Sequence, residues 1–391
     1  MGRGRAVEGP VAALQRRQFL ASLAGLAALP LVRRSPAGRA LLALFDDEHE
    51  LGVEHEVLPG FWEQLPGVRT RCTVCPLNCV LEEGQTCFCR TRTNRGGRLK
   101  TTAYGNPCLL ATDPIEKVPL NHFTPGARTL ALGTGGCNLR CLYCQNWEQS
   151  QKKPPELRNH DLPVERAADS LADSDVRTIA FTYTEPIAFL EYLCDVAAHA
   201  RAKKVRCVAA TALFANPDAA RLLGRNLDAA CVGIKAFDDE FYDRVCGSQL
   251  KPVLAATEIL AAEVAQLEIV TLVVPGYNDD AARLGELAKW IVRTLGEDTP
   301  WHLARFVPQY RLAKVPRTPL ETLERARAVG RDAGLRYVYL SNVAPHEGNH
   351  TDCGRCGTRL IERLGFELLH DAMGPKGRCP RCRRKVPGVW S

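Results

Sequence analysis

The sequence predicts an α/β fold, an open or incomplete parallel barrel with a cysteine-rich segment before it and a second one after it. Three observations predict this. From Thr129 to Leu340 short β-rich runs alternate with helical ones, the pattern of parallel strands joined by crossover helices. Cys137, Cys141 and Cys144 follow the first run at C-x3-C-x2-C spacing. Cys353-x2-Cys356 and Cys379-x2-Cys382 close the chain as paired knuckles of zinc-ribbon type.

A chain of 391 residues with 46% hydrophobic and 24% charged residues can bury a substantial globular core. Its formal charge of +7 is unevenly spread: residues 1–45 hold seven arginines against Glu8 alone, so the remainder stays near +1. No basic field that neutralises phosphates is left for the folded part, which argues against nucleic acid as a partner. The leader reads Gln15-Arg16-Arg17-Gln18-Phe19-Leu20, then an apolar run Ala21 to Val32, then Arg33-Arg34. Twin arginines before a short apolar run resemble a twin-arginine (Tat) export signal, and the run is too short to span a membrane. Arg33 and Arg34 suit export poorly. The expected compartment is the cytoplasm, with Tat export to the periplasm as the alternative. The clustering of the 17 cysteines favours metal over disulfides, in a reducing environment.

In chain order, Leu41 to Phe61 is acidic and reads as a short helix and linker, with Glu54-His55-Glu56 as solvated charge. Arg71 to Arg92 is a nest of five thiols. Cys72, Cys75 and Cys79 have metal-ligand spacing, Cys87 or Cys89 would close a four-thiolate site, and Pro76 and Gly84 mark turns. Zinc and an iron–sulfur cluster both suit. Tyr104 to Phe123 reads as an extended connection, with Cys108 simply buried.

Strands are then expected at Thr129–Leu132, Thr178–Thr182, Val205–Ala210, Ala229–Ile234, Leu267–Val274, Trp301–Phe306 and Tyr337–Leu340. Helices are expected at Val164–Ala172, Ile187–Ala202, Pro217–Leu223, Asp239–Val245, Val253–Val264, Asp280–Thr294 and Leu320–Ala333, with Asp279 as the N-cap of the Asp280 helix. Chemistry in such folds sits at the C-terminal strand ends. That rule puts Gly135 to Cys144, Thr184-Glu185 and Lys235 on one rim. His302 shares a strand face with Ala304 and is assigned no role.

Thiolates suit iron–sulfur clusters and zinc. A cubane takes four protein thiolates and structural zinc four ligands. Three thiolates in one tight loop, with no fourth nearby, imply a cluster with one iron open to a second small molecule. Gly133, Gly135 and Gly136 are expected to let the backbone turn and approach a bulky cofactor. Glu185, before the helix-starting Pro186, can meet an ammonium group. Lys235, ending an apolar strand, should face a cavity, an acid or an anionic ligand. In the tail, His346 and His350 are not needed as ligands beside four thiols.

The string GTGGCNLRCLYCQNWEQSQ, together with RCTVCPLNC, DPIEKVPLNHF, FTYTEP, KAFDDEFYDRVCG, TLVVPGYND and WHLARFVPQY, resembles the AmmeMemoRadiSam system radical S-adenosylmethionine (SAM) enzymes, relatives of the pyruvate formate-lyase activating enzymes. The resemblance covers about residues 68–391 and implies a partial (β/α)6-type radical SAM barrel. It divides the chain into a Tat-like leader and linker (1–45), a cysteine-rich segment (46–125), the barrel (126–345) and a four-cysteine ribbon (346–391). It implies a [4Fe-4S] cluster on Cys137, Cys141 and Cys144, with SAM chelating the open iron, Tyr143 near the adenine, and Thr182, Thr184 and Glu185 meeting the methionine ammonium. Lys235 becomes the catalytic candidate. Cys353, Cys356, Cys379 and Cys382 would hold zinc or a cluster, and Cys72, Cys75, Cys79 and Cys89 an auxiliary site, Cys89 being preferred because relatives tend to carry glycine at the position of Cys87. The family usually has Asp two residues before the strand-four lysine, where this chain has Gly233. The implied activity is that of a radical SAM oxidoreductase making a 5′-deoxyadenosyl radical, with a flavodoxin or ferredoxin as electron donor and a protein or small molecule as substrate. A glycyl-radical activase and a non-catalytic iron–sulfur electron carrier are the alternatives.

Overall fold

The computed structural model describes residues 48–49, 54–171 and 174–390; the Tat-like leader and the end of the first expected helix, Ala172, lie outside them. The centre is an eight-stranded sheet. Its strands are β1 (Leu109–Pro114), β2 (Arg128–Gly133), β3 (Thr178–Phe181), β4 (Arg206–Thr211), β5 (Ala229–Gly233), β6 (Gln266–Val273), β7 (Trp301–Arg305) and β8 (Val338–Ser341). They lie side by side in chain order. β2 to β8 are parallel, whereas β1 runs antiparallel to β2. The crossovers carry α1 (Val164–Asp169), α2 (Leu190–Ala202), α3 (Pro217–Arg225), α4 (Leu250–Glu263), α5 (Ala281–Thr294) and α6 (Leu320–Asp332). Strand order that never reverses, with crossovers of one hand, places the helices on one face and rolls the sheet into an open barrel.

The two faces are chemically distinct because side chains alternate along a strand. Leu130, Leu132, Ile179, Phe181, Cys207 and Val232 join the main core with residues of α2 and α3. The opposite face carries smaller residues, Ala131, Ala180, Val208, Ala229 and Cys231, packed against Ile115, Val118, Leu120 and Phe123. The segment 115–123 therefore packs against this small-residue face and fills the lower lumen.

Four expectations need correction. Tyr104 to Phe123 is not a mere connection, since β1 adds an antiparallel edge strand; Pro114 stands at its end, where a missing N–H is tolerated. The described part of Leu41 to Phe61 holds no helix: 48–49 pair with 159–160, and His55–Glu56 pairs with the strand Arg98–Thr101. The α5 cap is Asp280, which accepts from the Arg283 N–H at 2.9 Å, while Asp279 accepts from Gly276 instead. The expected helix Asp239–Val245 is one helical turn followed by a π-helix, Tyr242–Cys246, closed by left-handed Gly247.

The tail is a hairpin, Arg359–Leu364 with Glu367–Asp371, between two cysteine knuckles. Two buried groups bind this tail to the barrel. Arg363 meets Glu116 at 3.3 Å, and His122 donates from Nδ1 to the Pro387 carbonyl (2.8 Å) while its Nε2 lies 2.7 Å from Tyr339 Oη. Glu268, itself held by His302 at 2.6 Å, accepts the backbone N–H groups of Asn121 and His122.

Candidate active site and metal centres

The loop after β2 carries Cys137, Cys141 and Cys144, all three half-buried. Neighbours hold it from four directions. The Cys89 carbonyl accepts the Cys137 N–H at 3.1 Å. The carbonyls of Cys246 and Val245 accept from Arg140 (2.7 Å) and Leu142 (2.9 Å). Asn138 donates to the Phe214 carbonyl and Asn146 to that of Tyr183, each at 2.7 Å. These anchors follow β3, β4 and β5, so the loop sits over the C-terminal strand ends. Backbone strain gathers on the same rim: Tyr183, Leu213, Tyr310 and Asn342, each just after a parallel strand, have φ of +69°, +52°, +50° and +60°.

The loop glycines let the backbone pack closely against neighbouring segments, and Gly136 takes the turn at φ +91°. A Cβ on Gly136 would lie 2.5 Å from the Cys89 carbonyl oxygen, one on Gly135 2.7 Å from Leu157, and one on Gly133 2.5 Å from the Thr182 oxygen.

Glu185 is fully buried, and burial pushes its pKa up against its hydrogen bonds. Its Oε1 accepts from Thr211 Oγ1 (2.5 Å) and Ile187 N–H (3.2 Å), its Oε2 from Ala212 N–H (2.7 Å). The Thr184 hydroxyl beside it is buried with no hydrogen-bond partner. Thr182 continues the ladder, donating its N–H to Leu132. Lys235 lies in line with Ala229, Cys231 and Gly233 on the lumen side. No hydrogen bond or ion pair of the described residues reaches its ammonium. Burial pulls the Lys235 pKa down, but Cys141, Cys246, Glu185 and Cys137 together hold it above its usual value. A Cβ on Gly233 would stand 2.6 Å from Lys235 Nζ, so the bare glycine is the space into which the ammonium folds. Tyr143 is turned inward, its hydroxyl 3.7 Å from Cys246 Sγ and its ring 6.2 Å from that of Phe241.

Sequence reading missed Cys246. It is the last residue of the π-helix, and its thiol pairs with Cys141, holding that sulfur's pKa down to about 7. It flanks one member of the triad and does not cap all three. A single cysteine in an apolar helix looks like core; a π-turn beside a functional loop is the signal, and it is visible only in three dimensions. Thr211, which fixes Glu185, likewise had no sequence signature.

The ribbon cysteines behave differently from the triad. Cys353, Cys356, Cys379 and Cys382 have ligand atoms all within 4.8 Å of one another, the one such set of three or more His, Cys, Asp or Glu among the described residues. Sulfurs of Cys353 and Cys382 are 3.5 Å apart and those of Cys356 and Cys379 3.7 Å. Tetrahedral zinc with bonds of about 2.3 Å sets thiolates about 3.8 Å apart, so this group fits one ion. The triad is more open, as a multi-iron cluster requires, and the orphaned Thr184 hydroxyl and unpaired Lys235 ammonium beside it are polar groups awaiting a ligand. The residues present therefore fit a cluster with a polar, charged co-ligand.

An open α/β barrel whose first parallel strand, β2, ends in a three-thiolate loop, beside a buried glutamate and an unpaired lysine, puts its candidate cluster site at the C-terminal rim. The radical SAM superfamily model matches residues 132–288. An uncharacterized protein of Methanocaldococcus jannaschii is 38% identical over 328 residues, covering 83% of this chain and 97% of its own length. The pyruvate formate-lyase-activating enzyme of Staphylococcus aureus is 28% identical over 180 residues, 43% of this chain and 70% of that one. A solved domain of pyruvate-formate lyase-activating enzyme from Bacteroides vulgatus aligns at 18% identity with a TM-score of 0.37, over 42% of this chain and 98% of its own. The chain belongs to the radical SAM superfamily, whose members use a [4Fe-4S] cluster and SAM. No helix of the described residues is long and apolar enough to cross a membrane.

Proposed function

We propose that this chain is a radical SAM enzyme of the AmmeMemoRadiSam system type, an oxidoreductase that abstracts hydrogen from a protein or small-molecule C–H bond. The carrying observation is the convergence of three open thiols, the unpartnered Thr184 hydroxyl, Glu185 and the free Lys235 ammonium on one rim. When bound, the cluster and SAM supply an electron and a sulfonium whose reductive cleavage yields the 5′-deoxyadenosyl radical. Cys137, Cys141 and Cys144 would hold the cluster. Glu185, fixed by Thr211 and Ala212, and Thr184 would orient the methionine ammonium; Lys235 would neutralise carboxylate charge and exclude water from the lumen. Tyr143, packed beneath the loop, supports its shape on the adenine side. Residues 126–345 act as the catalytic barrel, 46–125 as the cysteine-rich segment and 346–391 as a zinc-ribbon-like tail. A flavodoxin or ferredoxin would be the donor. The reading places the enzyme in the cytoplasm, where SAM and low-potential reductant are made; the twin-arginine leader would give it a periplasmic pool only if it is used.

Anaerobic reconstitution with iron and sulfide, then dithionite and SAM, tests this. The expected result is 5′-deoxyadenosine from the wild type and none from C137A/C141A/C144A. A protein that binds iron at the triad yet releases no 5′-deoxyadenosine is an electron carrier, and the proposal fails. The similarity to pyruvate formate-lyase-activating enzymes supports a glycyl-radical activase as the narrower reading; radical formation on an added glycyl-radical protein would select it.

A further inference from the structure

The five thiols of the N-terminal nest, Cys72, Cys75, Cys79, Cys87 and Cys89, line one small cavity together with Arg92, Asn138, Ile187 and Ala188. Cys87 interacts with Cys72, Cys79 and Cys89, and Cys75 with Cys89 and Cys72. They converge, yet no three of them have sulfurs all within 4.8 Å of one another, unlike the ribbon set. The cage is thus wider than the roughly 3.8 Å edge that a single zinc ion imposes. The three triad sulfurs likewise do not all lie within 4.8 Å of one another. Both suit a polynuclear iron–sulfur cluster, and five thiols exceed the four that a cubane takes.

The walls favour a redox role. The Thr91 backbone N–H bonds Cys89 Sγ, and the Arg92 guanidinium, paired with Glu191, reaches the same sulfur at 4.0 Å, while the Thr91 hydroxyl donates to the Ala188 carbonyl at 2.8 Å. Hydrogen bonds and positive charge at a ligand sulfur stabilise the reduced, more negative cluster. The nest is also joined directly to the triad. The Cys89 carbonyl accepts the Cys137 N–H at 3.1 Å, and a side chain on Gly136 would break that approach, its Cβ falling 2.5 Å from the same oxygen. Asn138, inside the triad loop, reaches the Cys75 thiol. On the outer side Phe88, between two of the nest cysteines, is 39% exposed, with the Arg140 guanidinium stacked 3.6 Å over its ring and Arg90 nearby.

We propose that the nest binds an iron–sulfur cluster that accepts one electron from a small acidic one-electron carrier docked at Phe88 and Arg140, and passes it to the triad's cluster across the Cys89–Cys137 hydrogen bond. The carrier and then the nest cluster are each oxidised by one electron, and the triad cluster is reduced by one. The relay rests on the triad holding a cluster, as proposed above.

The test uses the full chain, reconstituted anaerobically, as wild type, as C137A/C141A/C144A, as C75S/C87S and as F88E. Metal analysis and electron paramagnetic resonance of the dithionite-reduced proteins come first. The relay requires iron in the triple variant, and in the wild type a spectrum broadened by coupling between two spins. Rapid-freeze reduction by photoreduced flavodoxin, without SAM, comes second. F88E should keep both clusters and full dithionite reduction while flavodoxin reduction of the triad slows by about tenfold or more, and C75S/C87S should lose the flavodoxin route. A triple variant without iron overturns the nest cluster. Iron in the nest with flavodoxin rates unchanged in both F88E and C75S/C87S overturns the relay. A triple variant that carries as much iron as the wild type shows that the triad holds none, which sinks the triad reading instead, and the relay with it.

Discussion

Replacing Gly136 by alanine should unseat the loop that carries the triad. The residue has φ of +91°, and its added methyl would stand 2.5 Å from the Cys89 carbonyl oxygen and 2.5 Å from Thr91 Cγ2. The backbone conformation alone costs an L-residue about 1–2 kcal/mol. Overpacking against groups that cannot turn away adds about 1–3 kcal/mol. Relief demands that nest and loop part by roughly 1 Å, which takes the 3.1 Å Cys137–Cys89 hydrogen bond beyond its working range. A total loss of about 3 kcal/mol is expected, read as a lower urea midpoint at unchanged m, together with reduced iron at the triad after reconstitution. Gly276→Ala is the control. It also has positive φ, +74°, but nothing lies within 4 Å of its Cβ, so it should cost only the backbone part. If G136A proves no less stable than G276A and loads iron fully, the contact between nest and loop is not what positions the triad.

Other consequences are as direct. Glu191 and Arg92 form a bidentate pair with bonds of 2.9 and 2.8 Å, both almost fully buried; Glu191→Gln should destabilise by about 3–5 kcal/mol in urea, and R92M/E191L should recover most of that. Cys382→Ser should reduce zinc bound after dialysis to near zero and lower the melting temperature, while the iron signals of the triad stay unchanged. His122 is buried, and desolvation pulls its pKa down to about 4. The unfolded chain takes up that proton near pH 6.5, so the contribution is whole above 6.5 and about 3 kcal/mol of it is lost as pH falls to 4. Glu268, lying on the same network and held below its usual range once His302 outweighs its burial, acts in the same direction at lower pH. Urea midpoints across this window should fall less steeply in His122→Gln; an equal slope would remove His122 from the account.

The seven parallel strands were legible because strands buried on both faces read as short continuous apolar runs between helical ones. The eighth was not: Leu109–Pro114 ends on a proline and carries Thr112 and Asp113, so in sequence it looks like connection. Glu185 and Lys235 could be placed on the rim by the rule of strand ends. That Glu185 is held by Thr211, and that Gly233 is the hollow filled by the Lys235 ammonium, depended on atoms brought together from neighbouring strands and the lumen.

By itself the sequence determined that this chain winds an open α/β barrel, that three thiols leave its first parallel strand, and that four more end it at ion-binding spacing. Those are local properties, set by side-chain periodicity and by the reach of a few bonds. Only the tertiary structure decided that the nest lies against the triad, joined by one hydrogen bond from Cys89 to Cys137, that Cys246 flanks Cys141, and that the ribbon sulfurs close to single-ion distances while the other two sets stay open. Such contacts arise where separate loops meet, and no spacing along the chain encodes the distance between them.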